Sequence, residues 1–123
     1  MKTLLLIGFG SFVGGVLRYL LSQSVQLKTF TTFPIGTLSV NIIGCFFIGL
    51  IVGYIDKENL GDGWRFLLVT GLLGGFTTFS AFSMESINLL REGQITFAFS
   101  YIALSIILGL LATFFAFSIF GNK

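Results

Sequence analysis

Four long apolar runs, at about residues 3–21, 34–54, 64–90 and 96–120, alternate with three short polar stretches, SQSVQLKTFTTF, IDKENLGDG and REGQ. Each run is close to or above the ~20 residues that a helix needs to cross the hydrocarbon core of a bilayer. The pattern predicts an all-α integral membrane protein, a single domain over residues 1–123 built from four transmembrane helices. The second and third polar stretches force hairpins of adjacent antiparallel helices. Pro34 is expected in the first turn of the second helix, where a missing N–H does no harm. Asp62-Gly63 is expected in a turn ahead of the third. The first run follows Lys2, ends without a small-x-small cleavage pattern and is interrupted by Arg18-Tyr19, so it reads as a retained helix and not as a signal peptide.

The third run breaks the apolar pattern. Its stretch GLLGGFTTFSAFSME, from Gly71 to Glu85, holds three glycines in five residues, then two threonines, then phenylalanines interleaved with serines. Glycine costs ~1 kcal/mol against alanine in a helix interior, so Gly74-Gly75 followed by Phe-Thr-Thr predicts a local break near the middle of this helix. At membrane depth, broken backbone is tolerated only where its freed groups meet protein, water or an ion. Freed carbonyls of Gly and Thr are hard oxygen ligands suited to a small hard cation. The competing reading is a close helix crossing with no break. Elsewhere Gly10 and Gly14, Gly49 and Gly53, and Gly71 and Gly75 stand four apart, the small-xxx-small spacing that lets helix backbones approach in lipid.

Composition narrows the function. The chain is 54% hydrophobic and 10% charged, with a mean hydropathy of +0.98. It has no histidine and one cysteine, which removes the usual general base and metal ligand, any internal disulfide and any thiolate metal site. No nucleophile–base pair and no cofactor motif point to an enzyme. The net charge of +2 is scattered, with no basic face for nucleic acid. Lys2, Lys57, Arg65 and Lys123 fall on the side of the N-terminus, and Arg18, Lys28 and Arg91 on the other. Membrane proteins orient by such asymmetry. Four against three is almost none, and the chain is expected to insert both ways up. If Arg18 snorkels within the bilayer edge, a weak bias remains. Many transporters place an ion site between inverted repeats. A four-helix chain without an internal repeat reaches that symmetry by pairing with an upside-down copy, so an antiparallel dual-topology homodimer is expected.

Polar residues inside a span are costly and are site candidates by default. Thr37, Asn41 and Cys45 step by four along the second helix, and Tyr101, Ser105, Gly109 and Thr113 along the fourth. Phe79, Phe82, Ser83 and Ser86 share one face of the third, with Ser80 beside them. Interhelical hydrogen bonding is the plainer account of Asn41 taken alone. A pathway and packing account equally for the fourth-helix stripe, and a face of phenyls and hydroxyls is an odd one to offer lipid. Together, the amide of Asn41, the hydroxyls and the positive edges of the phenyl rings form a donor-rich lining with no carboxylate ring. Such a lining suits a small anion, and fluoride is the halide that takes hydrogen bonds most strongly. The rival is a small proton-coupled multidrug or guanidinium-type exporter, for which Glu85 is the only embedded acid available.

These motifs, taken together, resemble the Fluc family of fluoride channels, also called CrcB proteins, over essentially the whole chain. GSFVGGVLRY is similar to the family's first helix, FPIGTLSVNIIGCFFIG to its second, GLLGGFTTFSAF to its third-helix signature and YIALSIILG to its fourth. The usual signature ends Thr-Phe where this chain has Ala81-Phe82, which removes one hydroxyl from the lining. The resemblance implies passive fluoride export through two pores of a dual-topology antiparallel homodimer in the cell membrane, the inner or plasma membrane of a bacterium. It implies a central structural sodium ion held by backbone carbonyls of Gly74 and Thr77 from both subunits. It also implies pore roles for Asn41, Phe79, Phe82, Tyr101 and Ser105, and a polar track over Ser80, Ser83 and Glu85.

Overall fold

The computed structural model describes residues 1–29 and 31–121. Among them four helices are long and apolar enough to cross a membrane: Lys2–Thr29, Ile35–Glu58, Asp62–Arg91 and Ile95–Phe120, the last continuing to Gly121. The first helix runs on to Thr29 and does not stop near residue 21. Hydropathy marks where a helix leaves lipid, not where its backbone bonds end, and residues 22–29 turn Val25 and Gln26 inward onto the next segment. Pro34 then sets the second helix. It biases Phe33 away from helical geometry and stands one position ahead of the first turn, with its carbonyl accepting from the Leu38 N–H at 3.1 Å. That helix stops at Asn59, whose left-handed backbone (φ 54°) lets the Leu60 N–H return to the Ile55 carbonyl at 3.1 Å.

Asp62-Gly63 lies within the first turn of the third helix and not in a turn ahead of it. Gly61 is extended there and Asp62 places an acid at the positive end of the helix dipole. From Arg65 to Leu73 the helix is wound wide as a π-helix, and the Gly74 N–H reaches back to the Val69 carbonyl. At Thr77 (φ −93°, ψ 155°) and Thr78 (φ −150°, ψ 125°) the chain is extended and the helix is broken. It resumes over Phe79–Arg91 and ends at Gly93 (φ 79°), where the Gln94 and Gly93 N–H groups close on the Leu89 and Leu90 carbonyls.

Glycines set the helix crossings. A Cβ on Gly14 would overlap the Leu72 carbonyl oxygen, and one on Gly75 would lie 2.6 Å from the Ser11 carbonyl oxygen. The first helix and the half of the third before the break therefore touch backbone to backbone. The second and fourth helices meet in the same way, with Gly49 against the Thr113 carbonyl, Gly109 under the Cys45 sulfur and the Thr113 hydroxyl donating to the Cys45 carbonyl at 3.0 Å. Beside the break, Leu38, Leu89, Ala98 and Tyr101 form a buried cluster onto which Phe33, Ile42 and Phe82 pack. Large apolar side chains such as Phe12, Leu110 and Phe114 face outward, as a bilayer requires.

Candidate functional site

The break is held by one side chain. Asn41, near the middle of the second helix, donates from Nδ2 to the Thr78 carbonyl at 3.3 Å and accepts from the Thr78 N–H at 3.1 Å. Thr78 caps the second half of the third helix, its hydroxyl oxygen accepting from the Ala81 N–H at 3.3 Å. These two bonds redirect donors. In an unbroken helix the Thr78 N–H would close on the Gly74 carbonyl, and the Ala81 N–H on the Thr77 carbonyl. Here they go to Asn41 and to the Thr78 hydroxyl. Gly74 and Thr77, the carbonyls expected to hold a cation, are thus among the four, Gly74 to Thr77, that lose their regular donors at the break. Among the described residues no group of three or more His, Cys, Asp or Glu side chains is placed to hold a metal ion. A hard cation here would rely on such carbonyls, and their donor type fits sodium. Gly74 is exposed on the single chain.

Against the break lies a cavity of about 300 Å³ lined by Asn41, Thr77, Thr78, Phe79, Phe82 and Ser105, among others. The Ser105 hydroxyl is the buried side-chain polar atom without a hydrogen-bond partner among the described residues. Asn41 Nδ2 has a second N–H beyond the one given to Thr78. The Phe79 and Phe82 rings sit 5.5 Å apart and tilted by 49°. Phe79 is 78% exposed at the rim of the cavity.

The family model described as CrcB-like protein, Camphor Resistance (CrcB), matches residues 5–117. The chain belongs to the CrcB family. A protein of Flavobacterium psychrophilum is 51% identical over 92% of this chain and 92% of its own length. One of Phocaeicola vulgatus is 47% identical over 90% and 92%. One of Aquifex aeolicus is 46% identical over 88% of each. All three carry the name Fluoride-specific ion channel FluC. With four helices long and apolar enough to span, this CrcB chain is a multi-pass membrane protein.

Of the residues singled out from the sequence, the CrcB fold brings Asn41, Phe79, Phe82, Thr77 and Ser105 to one cavity. Tyr101 lies behind it, fully buried, with its ring 5.3 Å from Phe82 and its hydroxyl donating to Glu85 Oε1 at 3.0 Å. Thr37 donates to the other oxygen of Glu85 at 3.1 Å. Glu85 in turn lines a second, more polar cavity of about 390 Å³ with Ser22, Gln26, Asn88 and Glu92. Ser80 is exposed, 3.1 Å from the Thr78 hydroxyl. Ser83 is also exposed, and neither serine lines these two cavities. The sequence pattern does not bring Thr37, Glu85 and Tyr101 together, whereas the fold does. The stripes carrying Thr37 and Tyr101 were visible, but their convergence on one carboxylate is a product of tertiary packing.

Proposed function

We propose that this chain is a passive, fluoride-selective channel that lets fluoride leave the cytoplasm down its gradient, working as an antiparallel dual-topology homodimer with an inverted copy of itself. The observation that carries the reading is the cavity at the break, in a chain whose relatives bear the name of fluoride-specific channels. Its unengaged donors are the Ser105 hydroxyl and the second N–H of Asn41. A buried hydroxyl without a partner costs about 1–3 kcal/mol, and donation to an anion relieves that cost. The edges of Phe79 and Phe82 carry the positive end of the ring quadrupole. Each group offers only weak positive charge, so fluoride, small and strongly hydrogen-bonding, is favoured over chloride by size and by donor demand together.

Exposure of Phe79 and Gly74 on the single chain supports a second copy at this face. In the proposed dimer, the Gly74 and Thr77 carbonyls of both copies hold one structural sodium ion. When bound it supplies a fixed positive charge, which acts strongly in a low dielectric.

The test is efflux from liposomes holding the purified protein, read with a fluoride electrode in one run and a chloride electrode in another. Fast fluoride loss without chloride loss is expected. Loss of neither ion from a verified, folded dimer refutes the channel. Replacing all sodium with a bulky organic cation is expected to stop fluoride efflux, and efflux that continues unchanged removes the sodium from the proposal.

A further inference from the structure

One amide outside the apolar runs organises the segment that leads into the second helix. Gln26 donates from Nε2 to the Thr31 carbonyl at 2.8 Å and to the Phe33 carbonyl at 3.1 Å, and its Oε1 accepts from the Gly36 N–H at 3.0 Å. Both protons of the amide nitrogen are thereby used. The Gly36 N–H is one of the orphan donors at the start of the second helix. Pro34, standing at the cap position, makes no side-chain cap bond, so the cap is supplied from another helix. A further bond, from the Thr32 hydroxyl to Gln94 Oε1 at 3.2 Å, ties the same segment to the connection before the fourth helix.

What this segment carries is Phe33. Its ring meets Phe97 edge to face at 5.3 Å and Tyr101 edge to face at 5.8 Å. Tyr101 packs on Phe82 at 5.3 Å, and Phe82 lines the cavity at the break. Packed rings have few alternative positions because interiors are close-packed. A shift of Phe33 is therefore passed to Tyr101 and on to Phe82. We propose that Gln26 is a positioning residue for the fluoride pathway: by fixing Phe33 it sets the rings of Tyr101 and Phe82, and so the width of the cavity between Asn41 and Ser105. This rests on the fluoride-channel reading above. Gln26 itself does not line that cavity and acts through the three rings.

The experiment is a double-mutant cycle on single-channel fluoride current, using the full chain in planar bilayers. Gln26→Ala removes the amide, and Phe33→Leu removes the first ring while leaving the Gln26 bonds in place. Each is expected to lower the current per channel on the order of tenfold, within the coupling range of contacting residues. The double variant is expected to fall no lower than the worse single. Gln26→Glu keeps the acceptor for Gly36 and loses both donors. It is expected to behave as Gln26→Ala and decides the question if the alanine variant does not fold. Wild-type current per channel in the Gln26 variants, with only fewer active channels or a lower melting temperature, assigns Gln26 to stability alone and overturns the proposal. Multiplying losses in the double variant overturn it too. Absence of fluoride current in the unsubstituted protein refutes the channel reading instead, before any variant is compared.

Discussion

Replacing Asn41 with alanine removes both bonds that hold the break open, the one donated to the Thr78 carbonyl at 3.3 Å and the one accepted from the Thr78 N–H at 3.1 Å. A buried backbone group left without a partner costs about 1–3 kcal/mol. Thr78 is half-buried beside a cavity of about 300 Å³ that has room for water, so each group falls at the low end. The Thr78 carbonyl still accepts the first bond of the helix it caps, so the N–H carries most of the cost, about 1–2 kcal/mol, roughly five- to thirtyfold in the ratio of folded to unfolded chain. The released Thr78 N–H is also free to close on the Gly74 carbonyl, which would restore the helix and take away a carbonyl proposed for sodium. Asn41→Ala is therefore expected to lose stability and fluoride efflux together. Denaturant titration in detergent, followed by the fluorescence of Trp64, gives the first quantity. The liposome electrode assay gives the second. Wild-type stability with lost efflux would refute the clamp and leave Asn41 as an anion donor only. Wild-type behaviour in both would return it to ordinary helix packing.

Phe79→Ile and Phe82→Ile keep apolar bulk but lose the ring edge, and each is expected to cut fluoride efflux from a folded dimer by about two- to tenfold, the scale of the ~0.5–1.5 kcal/mol that ring geometry contributes; undiminished efflux would remove the phenyl edges from the pathway. Ser105→Ala deletes the unpartnered hydroxyl, so stability should hold or rise by about 1 kcal/mol while efflux falls, and unchanged efflux would show that this hydroxyl does not meet the anion. Gly14→Ala drives a Cβ into the Leu72 carbonyl and should destabilise by about 1–3 kcal/mol. Gly15→Ala, with nothing within 4 Å of the added carbon, should be neutral or stabilising by up to ~1 kcal/mol. Equal melting temperatures for the two alanine variants would contradict the crossing of the first and third helices.

Much of this architecture is legible in the chain because a bilayer leaves few alternatives. Four apolar runs imply four spanning helices, and Gly74-Gly75-Phe-Thr-Thr marks the break within a few residues. The positions of Asn41, Phe79, Phe82 and Ser105 were readable as stripes, since a step of four keeps side chains on one helix face. Helix ends were less readable. Residues 22–29 look like a loop because they are polar, but polarity records contact with water and says nothing against helical bonds. The role of Gln26 is hidden in the sequence for the same reason. Asn41 was legible as a costly amide in lipid, yet its bonds to Thr78 join positions 37 apart in sequence, and no local pattern encodes that pairing. Tyr101 was expected on the pathway. Its hydroxyl is engaged by Glu85 because packing of the third and fourth helices brings a donor and the embedded acid to 3.0 Å.

The arrangement at the break sorts donors from acceptors. Extending Thr77 and Thr78 frees the four amide N–H groups of Thr78 to Ala81 and the four carbonyls of Gly74 to Thr77, which an unbroken helix would pair with each other. Asn41 and the Thr78 hydroxyl accept from two of these, the N–H groups of Thr78 and Ala81, so the carbonyls of Gly74 and Thr77 remain as acceptors without their regular donors. On the cavity side the unmatched groups have the opposite sense: the Ser105 hydroxyl and the remaining Asn41 N–H are donors. Unmatched acceptors call for a cation and unmatched donors for an anion. One amide placed beside two threonines therefore creates both demands within a single helix turn. That is why a pathway for a small anion and a seat for a small cation are expected to stand or fall with the same residue.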